Sequence, residues 1–204
     1  MTRLFLIRHG EVESRYHRVF AGSRIDMDLS PHGKSQADSL AHHLRSVDLH
    51  AIYASPMKRA QQTLAPLTSN RTVQPKVLRD LHEVDFGDWT GHTWLELRDK
   101  FGTNAGDWLD KLEAGAIPNG ETAERLRARI DPCLQQILKE ADGQQVAVVC
   151  HGGIVRMMLA ILLHLPLSKM ARFEIEYASV TEVHHHPHKT EVQLLNFTPW
   201  RALA

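Results

Sequence analysis

The chain alternates short apolar runs with longer stretches in which apolar residues recur every three or four positions. Leu4–Ile7 is an unbroken apolar run, the mark of a strand buried on both faces, and Ala51-Ile52-Tyr53-Ala54 and Val146–Val149 read the same way. Ala37, Leu40, Ala41, Leu44 and Val47 fall on one face of a helix. Ser30 caps that helix and Pro31 opens it, where the missing N–H of proline costs nothing. Ser55-Pro56 repeats the signal and predicts a second helix, carrying Arg59. Ala123, Leu126, Ile130, Leu134, Ile137 and Leu138 mark an amphipathic helix around 121–141. Gly152-Gly153 predicts a turn, and the almost wholly apolar Ile154–Leu163 a buried helix. Ala178–Val183 and Glu191–Leu195 predict two strands around a His-rich turn.

Strands alternating with helices predict an α/β sandwich with a mostly parallel sheet. In such sheets ligands bind beyond the carboxyl ends of the strands. Arg8-His9-Gly10 and Cys150-His151-Gly152 both fall at such ends, so two polar clusters are expected to share one crevice. The 204 residues suit a single domain, with no internal repeat or linker and a helical excursion around 90–140 covering the site.

Composition narrows the ligand. Lys plus Arg and Asp plus Glu both number 24, so no global charge favours nucleic acid or an acidic membrane. Residues 1–24 nevertheless hold Arg3, Arg8, Arg15, Arg18 and Arg24 against Glu11 and Glu13, a bias suited to a small anion. The two cysteines make neither a disulfide framework nor a zinc motif. The start turns charged too soon for a signal peptide, and Met157–Leu163 is too short to span a membrane. A cytoplasmic protein with reduced thiols is expected.

Two stretches carry candidate chemistry. Cys150, five residues and Arg156 have the spacing of cysteine-dependent phosphatases, whereas the adjacent His151 suggests a histidine that binds phosphate beside a merely packed thiol. In Leu6-Ile7-Arg8-His9-Gly10-Glu11, a guanidinium at a strand tip calls for an anion, and Gly10 lets backbone amides approach one. A neutral His9 could attack phosphorus if a backbone carbonyl fixed its tautomer with Nε2 free. Taken singly, Arg59 and Glu83 read as ordinary surface charges.

Arg8-His9-Gly10-Glu11 resembles the signature of the histidine phosphatase superfamily, the phosphoglycerate-mutase-like proteins, and the likeness covers nearly the whole chain. Leu29–Ala37 resembles the segment after the nucleophile, Ser55–Thr63 the arginine helix, Leu81–Gly91 the acid/base segment, and Cys150–Gly153 the second histidine. The resemblance implies a three-layer α/β/α sandwich. It implies His9 as a nucleophile forming a phosphohistidine and Glu83 as general acid and base. Arg8, Arg59 and His151 would bind the phosphoryl oxygens, with backbone donors from the helix start at Gly152. Arg15 stands where many members have asparagine at the phosphate and is carried as an additional candidate. No metal or other cofactor is implied, because the arginines and His151 supply the positive charge.

The cysteine alternative lacks the usual histidine before Cys150 and the hydroxyl residue after Arg156. The segment between Glu83 and His151 carries no insertion of the mutase kind, which favours hydrolysis of a small phosphate monoester. Trp108–Arg129 and Arg172–Thr181 resemble the α-ribazole phosphatase branch, acting on a cobalamin precursor, and broad-specificity sugar-phosphate phosphatases share much of both. A non-catalytic phosphate-binding regulator and a metal site at His184–His188 are the remaining readings, the latter weakened because successive strand residues alternate faces. A homodimer would be common for such a fold, and the oligomeric state stays open.

Overall fold

The computed structural model describes residues 1–201. Its sheet has six strands in the order β3-β2-β4-β1-β5-β6. β1 (Thr2–Arg8), β2 (Ala51–Ala54), β3 (Lys76–Val77) and β4 (Gln145–Cys150) run parallel, and β5 (Val180–His186) and β6 (Lys189–Phe197) add an antiparallel hairpin. The helices are α1 (Pro31–His43), α2 (Lys58–Thr68), α3 (Trp94–Phe101), α4 (Trp108–Glu113), α5 (Ala123–Glu140) and α6 (Gly152–Leu162).

The period-two geometry of the strands builds two cores. Leu4, Leu6, Val146, Val148 and Cys150 face the layer of α5 and α6, while Phe5, Ile7, Ala147 and Val149 face α1 and α2. The arrangement is the expected three-layer α/β/α sandwich. Each fully buried Leu or Ile contributes roughly 2 kcal/mol.

Helix starts decide where the loops sit. Ser30 caps α1 as predicted, its Oγ accepting from Gly33 N at 2.9 Å and donating to Glu11 Oε1 at 2.7 Å. Ser55-Pro56 does not open α2: Met57 is the N-cap, without a side-chain cap bond, and the Ser55 hydroxyl is taken by His151 Nε2 at 2.7 Å. Gly152-Gly153 is not a turn either. Both glycines lie in the first turn of α6, with His151 as N-cap, because the extended backbone of β4 passes directly into the helix.

Trp94 of α3, Ala105 and Gly106 of a 3-10 turn at Ala105–Asp107 and Trp108 of α4 line the cleft, whereas α5 packs against α6 as part of the sandwich. His184–His186 lie on β5, leaving Pro187-His188 at the turn. His184 pairs with Glu182 and His185 with Thr190, and no group of three metal-ligating side chains forms among the described residues. Among those residues, no helix is long and apolar enough to cross a membrane.

Candidate active site

Parallel pairing brings the strand tips together. Arg8 sits opposite Cys150 in register, His9 N donates to Cys150 O at 3.0 Å, and Ser55 N donates to Val149 O at 2.9 Å. β1, β4 and β2 therefore deliver Arg8-His9, His151 and Ser55 to one edge of the sheet. A cleft of about 560 Å³ opens there, lined by Arg8, His9, Arg59, Glu83, Gly152 and Gly153 among others. His151 stands fully buried behind it, its ring centroid 5.2 Å from that of His9.

His9 is buried at 5% exposure. Its Nδ1 donates to Gly10 O at 2.8 Å, which leaves Nε2 as the unprotonated nitrogen, accepting from Arg59 Nε at 3.2 Å. Burial, then the charges of Arg59 and Arg8, hold its pKa well below the usual histidine value, against the pull of the Gly10 bond. His151 is depressed in the same way, by burial and then by Arg59, His9 and Arg8. Its Nδ1 is buried without a partner among the described residues, and Ser55 fixes the opposite edge of the ring.

The arginines are held rigidly. Arg59, 2% exposed, donates from Nη2 to Gly22 O at 3.0 Å and from Nη1 to Ile25 O at 3.2 Å. Arg8 donates from Nη1 to Ile175 O at 2.6 Å, and its buried Nε has no partner among the described residues. The Glu83 carboxylate accepts from Val84 N at 3.0 Å and from Gly153 N, in the first turn of α6, at 3.3 Å. A Cβ on Gly153 would lie 2.5 Å from Glu83 Oε1, so glycine is what allows this approach. From α5, Arg129 grips the segment bearing Glu83 by donating to the carbonyls of Asp80, His82 and Glu83, while pairing with Glu121 at 2.7 Å.

Arg15 is not brought to the cleft. Its guanidinium pairs with Glu13 at 3.0 Å and leans on the Tyr16 ring, leaving the side chain 69% exposed. Local neutralisation by Glu13 gives it no reason to turn inward. Cys150 is fully buried in the core and is not among the cleft-lining residues, and burial pushes its thiol well above the ordinary range, so it packs rather than attacks. Trp89 is buried behind the aromatic wall, against Phe20, as a packing residue.

The sequence left the role of Arg156 open and missed that of Tyr177. Arg156 lines the cleft and donates to Gly152 O and Phe173 O, its pKa pushed down to about 10 by burial and Arg8. A lone charge within the apolar helix Ile154–Leu163 was the available signal. Tyr177 packs on both Arg8 and His9, and no periodic pattern pointed to it.

Fixed positive charge around uncharged imidazoles, in a sheet of this topology, defines a class of protein built to handle a phosphoryl group. The chain belongs to the histidine phosphatase superfamily (branch 1), whose model matches residues 4–198. It is 30% identical over 198 residues to phosphoserine phosphatase 1 of Hydrogenobacter thermophilus, covering 97% of this chain and 93% of the relative. It is 26% identical over 174 residues to the adenosylcobalamin/alpha-ribazole phosphatase of Escherichia coli, with 85% of each covered. The crystal structure of the alpha-ribazole phosphatase from Shigella flexneri superposes with a TM-score of 0.83 at 25% identity over 96% of each chain. The family and its phosphatase members make this chain a phosphatase enzyme.

Proposed function

We propose that the chain hydrolyses small phosphate monoesters through a phosphohistidine at His9, without a metal ion. The observation that carries this reading is the Nδ1 bond of His9 to Gly10 O, which leaves a neutral Nε2 facing fixed guanidinium groups. His9 Nε2 attacks phosphorus and the P–O bond to the leaving group breaks. Glu83, in its protonated form, gives its proton to the departing oxygen. Arg8, Arg59, His151 Nδ1 and the Gly152 amide hold the three phosphoryl oxygens. Water then attacks the phosphohistidine, Glu83 takes up its proton, and phosphate leaves.

The leaving group is read from the other wall. Val12, Tyr16, Phe20, Phe86, Trp94 and Trp108 line a cleft much larger than a phosphate, which suits an ester with a planar, largely apolar body. Among the esters weighed, α-ribazole 5′-phosphate fits that description best, in keeping with the likeness to alpha-ribazole phosphatases, and a role in cobalamin assembly goes with it. A second reading, a small carboxylate-bearing ester such as phosphoserine, is favoured by the extra cation Arg156 in the same cleft. Broad action on sugar phosphates is the third.

Measuring kcat/KM on α-ribazole 5′-phosphate, phosphoserine and several sugar phosphates decides among them. A preference of about 100-fold or more for α-ribazole 5′-phosphate is expected, roughly 3 kcal/mol of differential transition-state binding. Comparable rates on unrelated sugar phosphates would sink the cobalamin assignment.

A further inference from the structure

We propose that Tyr177 is a positioning residue of the phosphoryl site, its ring holding the Arg8 guanidinium in place and closing one side of His9. The proposal rests on the reading of His9 as nucleophile. Tyr177 lies in the loop that leads into β5, far in sequence from either residue, and lines the cleft. Its ring centroid is 4.0 Å from Arg8 Cζ, a close cation–π contact. The same ring lies 5.6 Å from the His9 ring, tilted by 48°. Arg8 is thus gripped at one end by Ile175 O and across its face by Tyr177, which fixes where its remaining N–H groups point.

The loop is built to keep the ring there. Ala178, directly after Tyr177, has φ +49°, a left-handed backbone rare for a residue with a Cβ. Its amide donates to His9 O at 3.0 Å, tying the loop to the backbone of the nucleophile itself. Trp200 Nε1 donates to Tyr177 O at 2.8 Å, and Arg201 pairs with Glu176 at 2.6 Å. Strained backbone persists where several contacts over-determine it, and here they converge on the short stretch of chain that carries Tyr177.

The charged and titratable groups around His9 come from every element packed there: Arg8 from β1, Arg59 from α2, Glu83 from the segment after β3, His151 from the junction of β4 and α6, and Tyr177 from its loop. Removing the ring opens His9 to water and frees Arg8 to move away. Burial is the largest cause of the depressed His9 pKa, so opening the site raises it.

The test is the pH profile of kcat and kcat/KM for wild type, Tyr177→Phe, Tyr177→Leu and Trp200→Phe on one aryl phosphate monoester. Tyr177→Leu is expected to lower kcat by about 10- to 100-fold and to move the acid limb of kcat/KM upward towards the ordinary histidine pKa. Tyr177→Phe, which keeps the ring, restores the wild-type acid limb and stays within about threefold of wild-type kcat. Trp200→Phe shifts both readouts in the direction of Tyr177→Leu, by less. A folded Tyr177→Leu with wild-type kcat and acid limb overturns the proposal, as does a Tyr177→Phe as impaired as the leucine variant. If Tyr177→Leu does not fold, an unchanged profile in Trp200→Phe overturns it. Absence of a phosphohistidine at His9 in the wild type would instead indict the nucleophile assignment. Labelled His9 with an unchanged Tyr177→Leu would sink the positioning role alone.

Discussion

Burial and the neighbouring guanidinium groups hold the pKa values of His9 and His151 well below the usual histidine value. In the unfolded chain both titrate near pH ~6.5, and in the fold both stay neutral to well below that. Below that value the unfolded chain therefore binds more protons, so the stability they contribute is whole above it and lost as pH falls. Urea unfolding in phosphate-free buffer should show a loss of up to about 3 kcal/mol from the two histidines between pH 7.5 and 5.5. His43 and His185, whose pKa values are also lowered by burial, add to it in the same direction. A flat profile over that window would contradict the depressed values. Substitution separates the rival nucleophiles: His9→Ala should abolish turnover, whereas Cys150→Ser should keep most of it and stay folded. An inactive, folded Cys150→Ser would reverse the assignment. Gly153→Ala forces its Cβ onto Glu83 Oε1 and should lower kcat at least about tenfold with little change in KM, as expected when a proton-transfer group is displaced.

The elements most legible in the sequence were those whose local chemistry has no competitor. Leu4–Ile7 and Val146–Val149 are strands because an apolar run of four residues between polar ends is too short for a buried helix, and Ser30-Pro31 opens α1 because Ser30 is free to cap it. Ser55-Pro56 carries the same letters with another outcome, because the Ser55 hydroxyl is needed across the sheet by His151, a tertiary demand no local pattern reveals. Gly152-Gly153 looked like a turn because glycine weakens helices, yet its missing side chains are what let α6 start against Glu83 and Arg8. The candidate residues His9, Arg59 and Glu83 were legible from the ordered family motifs, and Arg156 only as a lone charge in an apolar helix; the position of Tyr177 was not, since loop placement depends on packing from the C-terminal segment. At this scale, Arg129 of α5 is the staple of the Glu83 segment. Arg129→Ala leaves the half-buried Glu121 without its ion-pair partner and frees that segment, so it should cost about 1–2 kcal/mol in urea unfolding and depress kcat, whereas an unchanged kcat would show that the segment holds itself.

Over the whole molecule, the order in which the strands enter the sheet places the tips of β1, β4 and β2 side by side, and this adjacency helps gather residues from positions 8 to 177 into one cleft. Trp94 of α3 and Trp108 of α4 then join Tyr16, Phe20 and Phe86 along an aromatic wall of that cleft. Because the positive charge comes from side chains on rigid elements, incubation with EDTA should leave phosphatase activity unchanged, and its loss with recovery on adding a metal ion would refute the metal-independent reading. The most direct measurement of the central claim is trapping of the enzyme during turnover of a phosphate monoester with a denaturing quench at alkaline pH, followed by peptide mass spectrometry at a pH that preserves the label. The account predicts one base-stable, acid-labile phosphoryl group on the peptide containing His9, present in Cys150→Ser and absent in His9→Ala. A phosphoryl group on Cys150, or undiminished turnover in His9→Ala, would contradict it.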